Sequence, residues 1–262
     1  MTVETGVAVE LRQWLDAASI EPAVAELRPD YRALLVVAEG LRPGDSDEFS
    51  ERLLARAEAD ACAEADACAE ADACAEPDAC AEPGAHPHVA AWHEAFRSFG
   101  AKPKRVRPSV DALLRRAPGG LPRVDRLTDI YNAVSVAHVL PVGGEDLDRY
   151  TGPARLVRAE GTEPFEVTSG GVQEVEHPRP GEVVWRDDAG VTCRRWNWRQ
   201  CVRTRLTTGT TRAVFILDAL GAMSDEALTA AGRALTEALA GSSPDARTAT
   251  RLLRASDAAH VQ

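Results

Sequence analysis

Long hydrophobic runs are missing from this chain. None of its 262 residues belongs to an uninterrupted stretch of 18 apolar residues, so no helix long and apolar enough to span a bilayer is expected. No secretory leader is expected either: MTVETGVAVELRQWLDAA has no basic segment followed by an apolar one, and the cytoplasm is the expected compartment. Catalytic signatures are also lacking. There is no GxSxG elbow, P-loop, HExxH or GxGxxG. Aromatics make up only 5% and four of the six cysteines fall in one repeat. At this length a sizeable core forms without disulfides.

What is present is uneven charge. The formal net charge is -11, but five Glu and four Asp lie between Glu58 and Glu82, where Lys and Arg are absent. The rest is near neutral and carries two basic stretches. Arg97 to Arg116 has seven cations against Asp111, and Arg194 to Arg212 has six Arg and no acid. The acidic segment repeats EADACA with a period of six, placing Cys62, Cys68, Cys74 and Cys80 at that spacing. Six residues advance a helix by about 600°, so neighbouring thiols point to different sides. The spacing is wrong for zinc, and no metal is expected. The segment reads as a partly helical, low-complexity surface insert over 58–88, weakened by Asp60, Asp66 and Asp72 and stopped by Pro77 and Pro83.

Around the insert, 1–57 and 89–243 read as parts of one domain and 244–262 as a C-terminal helix or tail. Helices are predicted over Val7–Ala18, Ser46–Ala57 (capped by Ser46), Val89–Phe99, Ser109–Arg116 (capped by Ser109), the start of Thr128–Leu140, and Ser224–Gly241. Strands are predicted over Tyr31–Ala38, Arg155–Ala159, Phe165–Thr168, Val172–Val175, Glu182–Asp187, Val191–Trp198 and Arg212–Ala219. LPVGGEDLD reads as a loop. Helices, then a β-rich middle, then helices make an α+β fold, with a central mixed or antiparallel sheet flanked by helices.

Four stretches could carry chemistry. In TCRRWNWRQ, a strand would put Trp196 and Trp198 on one face and Arg195, Asn197 and Arg199 on the other. The tryptophans would pack in the core or stack on a base. The polar face would grip a phosphate or sit solvated. TTGTT, Thr207–Thr211, offers hydroxyls and a flexible Gly, or a plain polar turn. TDIYNAVSVAHVLPVGGEDLD supplies Asp129, Asn132, Ser135, Gly143, Gly144 and Asp146 as a donor–acceptor wall. It also supplies His138, a proton carrier by type or a structural histidine. The Pro-punctuated loop with Lys102, Lys104, Arg105 and Arg107 suits phosphate-backbone contact, or is a solvated basic loop.

FRSFGAKPKRVRPSVDALLRR, TDIYNAVSVAHVLPVGGEDLD, LVRAEGTEPF and GEVVWRDDAGVTCRRWNWRQ, in this order, resemble the free-standing B3/B4-domain proteins. These are similar to the editing module of the bacterial phenylalanyl-tRNA synthetase β subunit, which hydrolyses a wrongly attached amino acid, chiefly tyrosine, from tRNA. The resemblance runs from about Ala90 to Leu220; the repeat departs from it. It implies a hydrolase of misacylated aminoacyl-tRNA that needs no cofactor. Asn132, His138, Glu163 and Thr210 would be its catalytic candidates. Asp129, Ser135, Gly143, Gly144, Asp146, Thr208 and Thr211 would line the substrate, and Lys102, Lys104, Arg105, Arg107, Arg195, Asn197 and Arg199 would hold RNA. Glu163 and Glu166 both qualify as the substrate-selecting acid. The expected partners are aminoacylated tRNA and a synthetase, with no DNA and no membrane. A non-catalytic tRNA- or aminoacyl-binding module and a synthetase-docking partner are the alternatives.

Overall fold

A computed structural model describes residues 7–70 and 82–260. The apolar run predicted as a strand is β2, Arg32–Glu39, at the heart of a four-stranded antiparallel sheet. It lies between β11, Arg247–Arg254, and β10, Arg212–Ala219, with β3, Val142–Asp146, beyond β10. β2 and β10 lack polar alternation because both faces are covered. Val36, Ala38, Phe215 and Leu217 pack under helices α6, Arg126–Ala137, and α7, Asp225–Ser242. Leu35, Val37, Val214 and Ile216 face the opposite way, towards Trp92, Trp185 and Trp196.

Trp185 lies in a second sheet of order β1-β4-β7-β8-β9. Its strands are Ser19–Ile20, Arg155–Arg158, Val183–Arg186, Val191–Arg194 and Arg199–Gln200. A hairpin, β5 Phe165–Ser169 and β6 Val172–Glu176, turns through Gly170 and Gly171, both at positive φ. Helices α1, Val9–Ala17, α2, Pro22–Leu27, and α4, Pro87–Ser98, put Leu11, Val24 and Trp92 into the core between the sheets. Among the described residues no helix is long and apolar enough to cross a membrane.

Several expectations change. VGGED is strand β3, not a loop. Gly143 and Gly144 are there because a Cβ at Gly143 would lie 3.1 Å from Gln200 Nε2, and one at Gly144 would lie 2.9 Å from Tyr131. Strand β8 ends at Arg194, because Arg195 and Trp196 both take left-handed angles, with φ of 50° and 67°. The alternating faces expected through residue 198 therefore do not exist. The expected C-terminal helix or tail contains β11, paired with β2 from Arg247↔Glu39 to Arg254↔Arg32.

Helix caps differ as well. Helix α3, Glu48–Glu70, is opened by Asp47, which accepts from Phe49 and Ser50, while Ser46 donates to Asp129. Helix α5, Ser109–Leu114, receives no cap from Ser109, whose buried Oγ lacks a partner. The first repeats continue α3, and Glu58 is tied into the domain by Leu121 N and Arg123. The rest of the repeat, residues 71–81, lies outside the described residues.

Candidate functional site

A cavity of about 490 Å3 opens between the two sheets. Gly143 and Glu145 of β3 and Ile216 and Asp218 of β10 form one wall. Trp185, Cys193 and the turn Trp196–Gln200 form the other. Tyr131 and Asn132 of α6 close one side. The segment Arg105–Arg116, which contains α5, closes another.

The walls follow from local sequence. Along β10, residues 214, 216 and 218 share a face, so Asp218 must follow Ile216 into the space between the sheets. Left-handed angles at Arg195 and Trp196 reverse the chain. They drop Trp196 into the core beside Trp92 and Tyr31, with ring centroids 5.6 and 5.0 Å away. Trp198 stays half-buried with the Arg195 guanidinium 4.2 Å from its ring centre. Two consecutive left-handed non-glycine residues cost about 1–3 kcal/mol each and concentrate at functional sites.

The floor is polar and incompletely paired. Asp218 Oδ1 accepts from Tyr31 Oη at 2.5 Å and Oδ2 from Asn197 Nδ2 at 3.4 Å. Burial pushes the Asp218 carboxyl up to about 7, against the pull of those donors. Among the described residues, Asn197 Oδ1 and Ser109 Oγ of this lining are buried without a hydrogen-bond partner, while the Trp185 and Trp196 Nε1 groups interact with Asp218 and with Tyr31 without a full hydrogen bond. Buried polar atoms are nearly always paired, so such orphans point to a polar ligand. The Asn132 amide also lines the cavity and makes no side-chain hydrogen bond within the described residues.

At the opposite end of the β3–β10 pair, Glu145 faces Val214 across the ladder, four positions from Asp218. That separates the two acids by about 13 Å of strand. Glu145 Oε2 accepts from the Tyr150 and Thr204 hydroxyls, and burial pushes the carboxyl up to about 7. Gln200 lies over Gly143 and donates from Nε2 to Gly144 O at 2.9 Å.

The mouth is cationic. Arg105, Arg107, Arg116 and Arg199 line it, with Lys102 and Lys104 exposed nearby. Arg105, Arg116, Lys102 and Lys104 make no ion pair among the described residues. Arg107 is steered by the fully buried Asp111, which also holds His93 and Arg115.

The cavity thus gathers Asn132, Gly143, Arg105, Arg107, Asn197 and Arg199 from the expected set. Other candidates serve the fold. Asp129 accepts from Val124 N, Ser46 and Ser50. Ser135 donates to Leu140 O, and Thr210 donates to Asp146. Thr208 and Thr211 are exposed and line no part of the cavity. His138 ends α6 away from it, its imidazole made less basic by burial. Glu163 ties a turn by accepting from Glu160 N and Gly161 N. Burial raises its carboxyl, but the backbone donors outweigh that and hold it below the usual range. Glu166 is exposed and pairs with Arg203. Arg195 reaches Glu182 at 3.4 Å rather than standing free. Glu145, Asp218 and Gln200 did not stand out in the sequence. Among the described residues no three His, Cys, Asp or Glu side chains form a metal-holding group.

Fold and site define an α+β domain with a polar, ligand-sized cavity between two sheets, behind a basic mouth. The chain matches the B3/4 domain over residues 91–232, more than half its length and including the whole cavity lining, and it belongs to that family. Among solved structures it is similar to an N-terminal fragment of the phenylalanyl-tRNA synthetase β-subunit from Pyrococcus horikoshii. The identity is 13% and the TM-score 0.40, covering 90% of this chain and 50% of that one. This chain therefore spans half of that structure. No curated protein sequence matches.

Proposed function

We propose that this protein acts on the aminoacyl end of tRNA and hydrolyses the ester of a wrongly attached amino acid. The observation that carries the reading is the cavity itself, where orphaned polar atoms lie behind unpaired cations. The cavity would hold the aminoacyl group, and Arg105, Arg116, Lys102 and Lys104 would meet the phosphates of the acceptor end. Membership of the B3/4 family and the segments resembling an editing module support the same reading.

An aminoacyl ester is already activated. The site need only orient it against water and stabilise the oxyanion. The Asn132 amide is a donor free for that oxyanion. The test is a panel of mischarged tRNAs with the purified protein and its Asn132→Leu variant. The expected result is accelerated release of one or a few amino acids, abolished in the variant with tRNA binding retained. Binding without acceleration on any substrate favours the non-catalytic module instead. That second reading draws support from His138, Glu163 and Thr210 all lying outside the cavity.

A further inference from the structure

We propose that Glu145 is the general base of this site, taking the proton from the water that attacks the ester carbonyl. This rests on the ester-hydrolysis reading above. Glu145 is the one cavity-lining carboxyl built to hold one oxygen and offer the other. Its Oε2 is fixed by Tyr150 and by Thr204 at 3.1 Å, with the Thr192 hydroxyl close by, and Oε1 makes no hydrogen bond among the described residues in a side chain that lines the cavity. Asp218, the other acid of the lining, has both oxygens engaged, by Tyr31 and Asn197. Glu145 forms no ion pair among the described residues, so no Lys or Arg holds it permanently charged. It is 1% exposed, which keeps bulk solvent from competing for the proton.

The titratable groups facing it come from several elements: Tyr131 of α6, Tyr150, Cys193 of β8, Cys201, and Asp187. Burial raises both tyrosines and both thiols, so they stay neutral near pH 7. Asp187 is bound by two nitrogens of Arg203 at 2.8 Å. Glu145 is therefore the group of this cluster poised to exchange a proton near neutrality.

In the step, the water oxygen bonds to the carbonyl carbon and its proton passes to Glu145 Oε1. The tetrahedral intermediate then collapses, the bond from carbon to the ribose oxygen breaks, and Glu145 returns the proton to that oxygen. The products are a free amino acid and tRNA with its terminal hydroxyl restored; one water is consumed.

The experiment measures deacylation against pH for the full chain and for Glu145→Gln, on whichever mischarged tRNA the panel selects. Melting and tRNA affinity serve as controls. The expected wild-type rate rises with pH to a plateau through an inflection near 7. The Gln variant should lose about 100-fold or more of the rate, lose the inflection, and keep its tRNA affinity. A Gln variant as fast as wild type, with the same inflection, overturns the proposal and leaves hydrolysis standing. No hydrolysis of any substrate overturns the hydrolase reading and the role of Glu145 together. Glu145→Asp is the second variant, for a fold that rejects glutamine. A lowered rate with the inflection kept supports the base, and an unchanged rate overturns it.

Discussion

A methyl group on Gly144 would press on the Tyr131 ring and on Leu206 Cδ1, each 2.9 Å away. Both neighbours are buried and packed, so the strand or α6 must shift. Gly144→Ala is expected to destabilise the protein by about 1–3 kcal/mol, read as a lower urea midpoint with unchanged slope. Glu163 makes the opposite case. Its carboxylate serves a turn outside the cavity, so Glu163→Gln is expected to leave turnover unchanged within twofold. A large loss of turnover with intact folding would put Glu163 back in the chemistry.

At the scale of elements, the segment from Lys102 to Arg116, braced by Asp111 on Arg107 and Arg115, would be the phosphate-binding arm under the proposed function. Replacing Arg105 or Arg116 with Ala is expected to weaken tRNA binding and lower the slope of log K against log salt by about one for each phosphate contact removed. Binding that keeps its slope in the double variant would remove this arm from the interface. β11 is a second case. Ending the chain at Pro244 uncovers the whole edge of the apolar β2, and exposed apolar edges aggregate. Such a truncation is expected to appear in the void volume on size exclusion.

How legible these elements were depends on what decides each one. β2 and β10 announce themselves because both faces are buried and nearly every residue is apolar. β3 reads as a loop because its two glycines answer to Gln200, Leu206 and Tyr131, which are distant in sequence. β11, RTATRLLR, is half-exposed and takes its conformation from β2 rather than from its own pattern. The turn at Arg195–Trp196 is hidden because tryptophan favours strands; its left-handed angles are enforced by burial of Trp196. Asn132, Gly143 and the arginines stood out by type and clustering. Asp218 was masked by the apolar run VFILDA around it, and Glu145 by the loop-like GGED.

For the molecule as a whole, the two cavity acids govern the response to pH. Folding raises Glu145 from 4.5 and Asp218 from 3.8, each to about 7. The native state therefore keeps protons that the unfolded chain releases. The stability they contribute is fully present below pH 4 and is lost as pH rises to about 7, with a ceiling of about 3 kcal/mol for Glu145. Urea midpoints of the wild type are expected to fall between pH 5 and pH 8. The Glu145→Gln, Asp218→Asn double variant should flatten that fall. A double variant with the wild-type slope would show that these carboxyls titrate normally.

The strained turn that buries Trp196 also sets how the cavity meets its ligand. Its energetic cost is met when the chain folds, because Trp92 and Tyr31 hold Trp196 in place with or without a guest. One wall is thus preorganised, and a ligand need not freeze it on arrival. Association should behave as docking to a rigid surface, with kinetics in a single phase and little backbone change at residues 195–198. Differences in affinity among ligands should then appear as differences in residence time.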